Sequence, residues 1–238
     1  SVKHHLLEKR DAVMAGAADP EALPALVPDV IGEDTLWACT TCGYCEAACP
    51  IELEHLPKFY RMRQQRVLME GAFPHELKPV FEAYEAQSNP WGFPSDTRGA
   101  WAHDLGVTRV ETADDVKNLD YLFYVGSAAS FDPRGQKIAR AFAAIMQQAG
   151  VRFGILGPAE TSPGECVRRA GNEMRFQQLA HELTAKRNGM GVVRIVTCDP
   201  HAFNSLKNEY PEFGGRWEVI HHTQLIDELL RDGRIEVQ

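Results

Sequence analysis

Cys39-Thr-Thr-Cys42-Gly-Tyr-Cys45-Glu-Ala-Ala-Cys49-Pro50 puts four of the six cysteines of this chain within eleven residues. Disulfide frameworks space their cysteines more widely and suit small secreted chains; a cluster this tight points to a metal site in a reducing compartment. The spacing is Cys-x₂-Cys-x₂-Cys-x₃-Cys-Pro, the bacterial iron–sulfur run. Three thiolates two residues apart wrap a short segment around one face of a cubane. Gly43 permits the turn and bares N–H groups to the inorganic sulfides, and Pro50 turns the chain away. Zinc is the competing reading, but zinc sites pair two Cys-x₂-Cys knuckles across a longer loop; a purely structural thiol cluster is a third. In two-cluster proteins the fourth cysteine of such a run serves the other cluster. Cys49 therefore either completes one [4Fe–4S] cluster with Cys39, Cys42 and Cys45, or belongs to a second cluster whose other ligands lie upstream or in a partner. The chain starts at Ser1, without Met and inside a helix pattern, as a fragment would.

Charge and composition exclude other classes. The 25 Lys and Arg residues against 33 Asp and Glu give a net charge of −8, and nucleic-acid binding would need a basic stripe. No apolar run approaches the roughly 18 residues of a membrane span, and the N-terminus lacks the apolar core of a signal peptide. A soluble, cytoplasmic chain is expected. Its 238 residues allow one large domain or two small ones.

Periodicity divides the chain. Residues 1–90 read as helical: 1–14, a break at Asp19-Pro20 and Pro24, the segment Ile31–Trp37 leading into the cysteines, then helices over 59–69 and 76–86 separated by Gly71 and Pro74. Residues 91–118, rich in Pro and Gly, form a linker or ordered loop. From 119 to 238, strands near 121–125, 151–156, 192–197 and 217–220 alternate with helices. The first helix carries Ile138, Ala141, Phe142, Ile145, Met146 and Ala149 at helical spacing and is closed by Gly150; the others cover about 166–187, 200–210 and 224–231. Four βα units imply a parallel sheet covered by helices, with ligands at the carboxyl ends of its strands. Those ends are 126–131, 157–164, 198–202 and 221–223. The fold class is thus α+β, a helical part followed by an α/β parallel-sheet module.

Leu36-Trp37-Ala38-Cys39-Thr40-Thr41-Cys42-Gly43 resembles the second ferredoxin-type run of the heterodisulfide reductase-related iron–sulfur oxidoreductases. This family includes glycolate and lactate oxidase iron–sulfur subunits and the quinone-type reductases that accept electrons from electron-transfer flavoprotein. Val125 to Arg134, Arg168-Arg169-Ala170-Gly171-Asn172-Glu173, Asn208 to Pro211 and His221-His222-Thr223 resemble its cysteine-rich CCG module. The resemblance covers nearly the whole chain. It implies an all-helical ferredoxin-like domain over 1–90 and a CCG-like module over 119–238. It also locates the module's five cysteine positions at Ser127, Ser162, Pro163, Asp199 and Ala202, none of which is a cysteine here. The second cluster of the family is therefore not expected, and any catalytic site of CCG type is degenerate.

The replacements resemble helix caps. Asp132-Pro133, Asp199-Pro200 and Ser162-Pro163-Gly164-Glu165 each offer an N-cap followed by proline, the last as a capping box. Helix N-termini converging there would bind water or a small anion. Cys166, Cys198, Asp199 and His201, with His221 and His222 nearby, are the residues from which a mononuclear metal site would have to be built; the plainer reading is packed thiols and caps. Arg168 and Arg169 read as solvated helix charges.

The resemblance implies an iron–sulfur electron-transfer subunit of an oxidoreductase. A flavoprotein electron donor and a redox partner subunit would flank it, and electrons would pass to a quinone at a membrane partner, a disulfide or another cluster. The rivals are a non-redox docking or assembly module, and an enzyme with a non-standard metal site at the α/β loops.

Overall fold

The computed structural model describes residues 2–16 and 24–236; the expected break at Asp19-Pro20 lies outside them. The chain forms two compact units, one of residues 1–75 with 169–172, the other of 76–168 with 173–238.

The first unit is helical, as its sequence pattern implies. Helices span Val2–Met14, Glu33–Ala38, Tyr44–Ala47 and Leu56–Gln64, the last continuing as a wider turn through Gln65–Met69. Val27 and Leu36 are its only buried apolar side chains among the described residues. Among the described residues neither of the two hydrophobic clusters contains a residue of this unit. No described helix is long and apolar enough to cross a membrane.

The second unit is an α/β layer structure. Strands β1 (Thr108–Arg109), β2 (Tyr121–Tyr124), β3 (Phe153–Ile155), β4 (Arg194–Thr197) and β5 (Glu218–His221) form one parallel sheet in the order β1-β3-β2-β4-β5. All four β2 residues are buried, because a central parallel strand is covered on both faces. Side chains alternate between faces: Phe123 packs with Phe142, Met146 and Phe153, while Leu122 and Tyr124 join Phe176, Leu179 and Ile195. The connections after β2 and β4 lead to opposite sides of the sheet, so the crevice for a ligand lies between their carboxyl ends.

Several expectations change in detail. Among the described residues five strands are present instead of four: β1 is two exposed residues at the sheet edge, too short for a periodicity signal. It lies in the stretch expected as linker or ordered loop, where a helical turn at Ser95–Ala102 also buries Arg98 and Trp101. The helix Lys78–Gln87, expected in the helical part, contributes Tyr84 to the core of the second unit. The helix Pro133–Gln148 buries Ala139, Phe142, Ala143 and Met146, which leaves Ile138 about half exposed at 48%. The single helix expected over 166–187 is two, Glu165–Arg169 and Glu173–Gly189. Gly171 breaks it at φ +95°, a conformation glycine adopts without strain.

Candidate metal centre

The cysteine run begins where helix Glu33–Ala38 ends. Cys39 is extended, Thr41 adopts a left-handed conformation (φ +56°), and Gly43 (φ +78°) starts the one-turn helix Tyr44–Ala47. A Cβ on Gly43 would find room, its nearest neighbour being Leu56 Cδ1 at 3.8 Å; the dihedral is what demands glycine there. The carboxylate of Glu46 accepts the Leu56 N–H at 2.6 Å and ties this turn to the next helix. Cys42 and Cys45 are exposed, Cys39 and Cys49 half-buried.

Backbone donors surround the sulfurs. The Leu53 N–H points at Cys49 Sγ from 3.4 Å. With the Ile51 N–H it holds the Cys49 thiol below its ordinary pKa. The Tyr44 N–H, then the Thr40 side chain, do the same for Cys42. Donors that favour the thiolate favour the form that ligates metal.

Arg63 stands behind the loop, its side chain only 5% exposed. Nη2 donates to the carbonyls of Leu36 (2.8 Å) and Cys39 (2.6 Å), Nη1 to that of Arg169 (2.9 Å). The face of Trp37 lies 5.2 Å away, and Nε has no hydrogen-bond partner. Every acceptor of this buried cation is neutral, and leaving a buried charge without an opposite one costs several kcal/mol. An anionic thiolate-bound cluster would compensate it. The donor set of four soft thiols, with N–H groups aimed at the sulfurs, therefore fits an iron–sulfur group. Cys39, Cys42, Cys45 and Cys49 are the residues that would hold it.

Among the described residues no three His, Cys, Asp or Glu side chains close around a common point, the cysteine run included. Cys166, Cys198, Asp199 and His201 are otherwise engaged. The Cys166 thiol donates to Glu165 Oε1 at 2.8 Å, and His201 Nδ1 lies 3.4 Å from the same oxygen. Burial pushes both the Cys166 and Cys198 thiols up to about 12, which keeps them protonated at neutral pH. Asp199 Oδ1 accepts the N–H groups of His201 and Ala202 as an N-cap.

Each of the five positions aligned with CCG cysteines has local work. Ser127 Oγ accepts from Arg98 Nη2 at 3.1 Å. Ser162 Oγ bonds Tyr84 Oη at 2.8 Å and accepts from the Gly164 N–H. The Pro163 carbonyl accepts from Tyr210 Oη at 3.0 Å. Asp199 caps, with Ala202 N–H as one of its donors. Asp132 caps its helix through the N–H groups of Arg134 and Gly135, as expected. The capping box expected at Ser162 shifts in register, since its helix starts at Glu165, the residue assigned to N3. The segment 126–131, expected as a loop, contains a helical turn at Ser127–Phe131. His221 caps the last helix in a box with Gln224, and its ring meets that of His222 edge-on with centroids 4.2 Å apart.

Two groups escaped the sequence reading. Glu160 sits at the crevice end of β2, accepting the N–H groups of Val125 and Gly126 at 2.9 Å and the guanidinium of Arg98 at 3.1 Å. A carboxylate of the protein itself thus occupies the end of β2, with its arginine taken from a Gly/Pro-rich loop; no local pattern announces either. The arginines Arg168 and Arg169, read as solvated charges, are not. Arg168 pairs with Glu173 and Glu209 and lies 4.4 Å over the Phe176 ring. Arg169 donates to Tyr60 Oη at 2.6 Å and Thr41 Oγ1 at 3.5 Å.

Comparison with known proteins gives related sequences but no matching family model and no matching solved structure. The chain is 41% identical to the "Probable iron-sulfur-binding oxidoreductase FadF" of Bacillus subtilis, over 95% of this chain and 34% of that protein. It is 37% identical to the "EtfAB:quinone oxidoreductase" of Syntrophomonas wolfei, over 94% of this chain and 32% of that protein. A subunit of the dihydromethanophenazine:CoB–CoM heterodisulfide reductase of Methanosarcina barkeri is 25% identical, over 86% of this chain and 49% of that one. The chain spans about a third of the length of the first two relatives and half of the third.

Proposed function

As a relative of the heterodisulfide reductase-related iron–sulfur oxidoreductases, this chain is, we propose, an electron-transfer segment that carries one [4Fe–4S] cluster on Cys39, Cys42, Cys45 and Cys49. A flavoprotein reduces it, and a quinone, a disulfide or a further cluster reoxidises it. The segment works in the cytoplasm, reaching the cytoplasmic membrane face only through a partner where the acceptor is a quinone. The observation that carries this reading is the cysteine run itself, four soft ligands on one short loop with backbone N–H groups directed at Cys42 and Cys49. The bound cluster supplies the one-electron carrier. The chain supplies the ligands, the donors that keep them as thiolates, and Arg63 behind the loop.

Anaerobic reconstitution tests the reading. The chain is expected to bind about four irons, the content of one cubane, and Cys42→Ser to abolish the brown absorption. Cys49→Ser should abolish it too; retention of a full cluster would assign the fourth ligand elsewhere. Replacing Cys166 and Cys198 together should leave iron content and spectrum unchanged. A count near eight (about two cubanes), or loss of signal in that double variant, would overturn the assignment of a single cluster.

A further inference from the structure

We propose that Arg63 and Arg169 form a cationic cradle behind the cysteine loop that positions Cys39 and raises the reduction potential of the cluster. This rests on the iron–sulfur reading of the loop.

The segment Arg168-Arg169-Ala170-Gly171-Asn172-Glu173 lies far along the chain from the cysteines, yet residues 169–172 belong to the first unit. Their role there is specific. The Arg169 carbonyl receives Arg63 Nη1 at 2.9 Å, while Arg63 Nη2 holds the carbonyls of Cys39 and Leu36. The Arg169 guanidinium reaches the loop by its own bonds to Thr41 Oγ1 and Tyr60 Oη. Thr41 lies between Cys39 and Cys42 and is itself buried. Gly171 makes the approach possible, because a Cβ there would come within 2.6 Å of the Arg63 carbonyl carbon and oxygen. Two guanidinium groups from distant parts of the chain therefore converge on the start of the cysteine loop, Arg63 at the Cys39 carbonyl and Arg169 at Thr41.

The physical consequence is electrostatic. One-electron reduction by the flavoprotein adds one negative charge to the cluster, and reoxidation by the acceptor removes it. A fixed positive charge nearby stabilises the reduced form more than the oxidised one, most strongly when buried away from water. Arginine stays protonated throughout, so the cradle exchanges no proton. Its acceptors at Arg63 are neutral carbonyls, so among the described residues no carboxylate bonds this guanidinium.

An EPR-monitored redox titration of the whole chain, with iron content measured alongside, tests the cradle. Arg169→Met and Arg63→Gln should retain iron but favour the oxidised cluster about tenfold at a given potential, equal to about 59 mV downward for a one-electron couple. Arg169→Lys, which keeps the charge, should stay near wild type. Should Arg63→Gln not fold, Arg169→Met carries the measurement. A wild-type chain without iron or visible absorption overturns the iron–sulfur reading and the cradle with it. A wild-type cluster whose potential is unmoved by Arg169→Met, or moved as far by Arg169→Lys, overturns the cradle alone.

Discussion

Glu160 and Arg98 are 1% and 2% exposed and face one another at the end of β2. Removing one member of such a pair leaves the other charged and unpaired, at a cost of about 3–5 kcal/mol. Glu160→Gln should therefore lower unfolding free energy by that amount in urea, and its NH2 group must also face one of the Val125 and Gly126 amides, donor against donor. Arg187 is the opposite case. It is fully buried, its three nitrogens have no hydrogen-bond partner, and it lies between the rings of Tyr124 (4.9 Å) and Trp217 (5.5 Å). Arg187→Met keeps the volume and removes the charge, so equal or greater stability is expected in the same urea experiment. Asp199 combines a cap with a buried charge. Burial raises its pKa above the ordinary 3.8, against the two capping N–H groups that lower it. A raised acid holds its proton in the folded chain at a pH where the unfolded chain has lost it. Its contribution to stability therefore falls as pH rises from about 3.8 through the folded pKa, then levels. Asp199→Asn keeps a cap acceptor without the charge. It should be at least as stable as wild type at neutral pH and lose the acid-side slope, whereas Asp199→Ala should cost about 1 kcal/mol.

Helix Pro133–Gln148 and the broken pair Glu165–Arg169 and Glu173–Gly189 show what periodicity can and cannot deliver for an element. The first helix was readable because Asp132-Pro133 caps it and apolar residues recur along one stripe. The stripe lies one residue over from the expected one, since Ala139 and Ala143 pack on the sheet as well as Phe142 and Met146 do. Asp132→Ala is expected to cost about 1 kcal/mol by thermal unfolding. The break at Gly171 was not readable, because a lone glycine in a helical pattern is tolerated in most helices. Here its reason is the Arg63 backbone against which it packs. Gly171→Ala combines a strained positive φ with a steric clash and should destabilise the first unit by about 1–3 kcal/mol. Loss of iron in parallel with that destabilisation would tie the break to the cysteine loop; full iron content in a destabilised variant would separate the two.

The two units differ most in how each is held together. The second has two apolar clusters on either face of a five-stranded sheet. The first buries only Val27 and Leu36 among its described apolar side chains, and a unit so poor in core needs a staple such as a bound metal group. Iron chelation is therefore expected to expose the region around residues 24–75 to proteolysis and fast hydrogen exchange while the sheet remains protected. Equal protection with and without iron would contradict that staple. The α+β organisation and the cysteine run were legible in the amino-acid order because their signals are local. Four cysteines lie within eleven residues, and caps and apolar periods repeat over one helix or strand. The order β1-β3-β2-β4-β5, the Glu160 carboxylate on amides 34 and 35 residues away, and the Arg63–Arg169 contact across 106 residues were decided only by tertiary packing. Each pairs groups whose sequence neighbourhoods look ordinary; burial and the need to satisfy a charge or a carbonyl give them their roles.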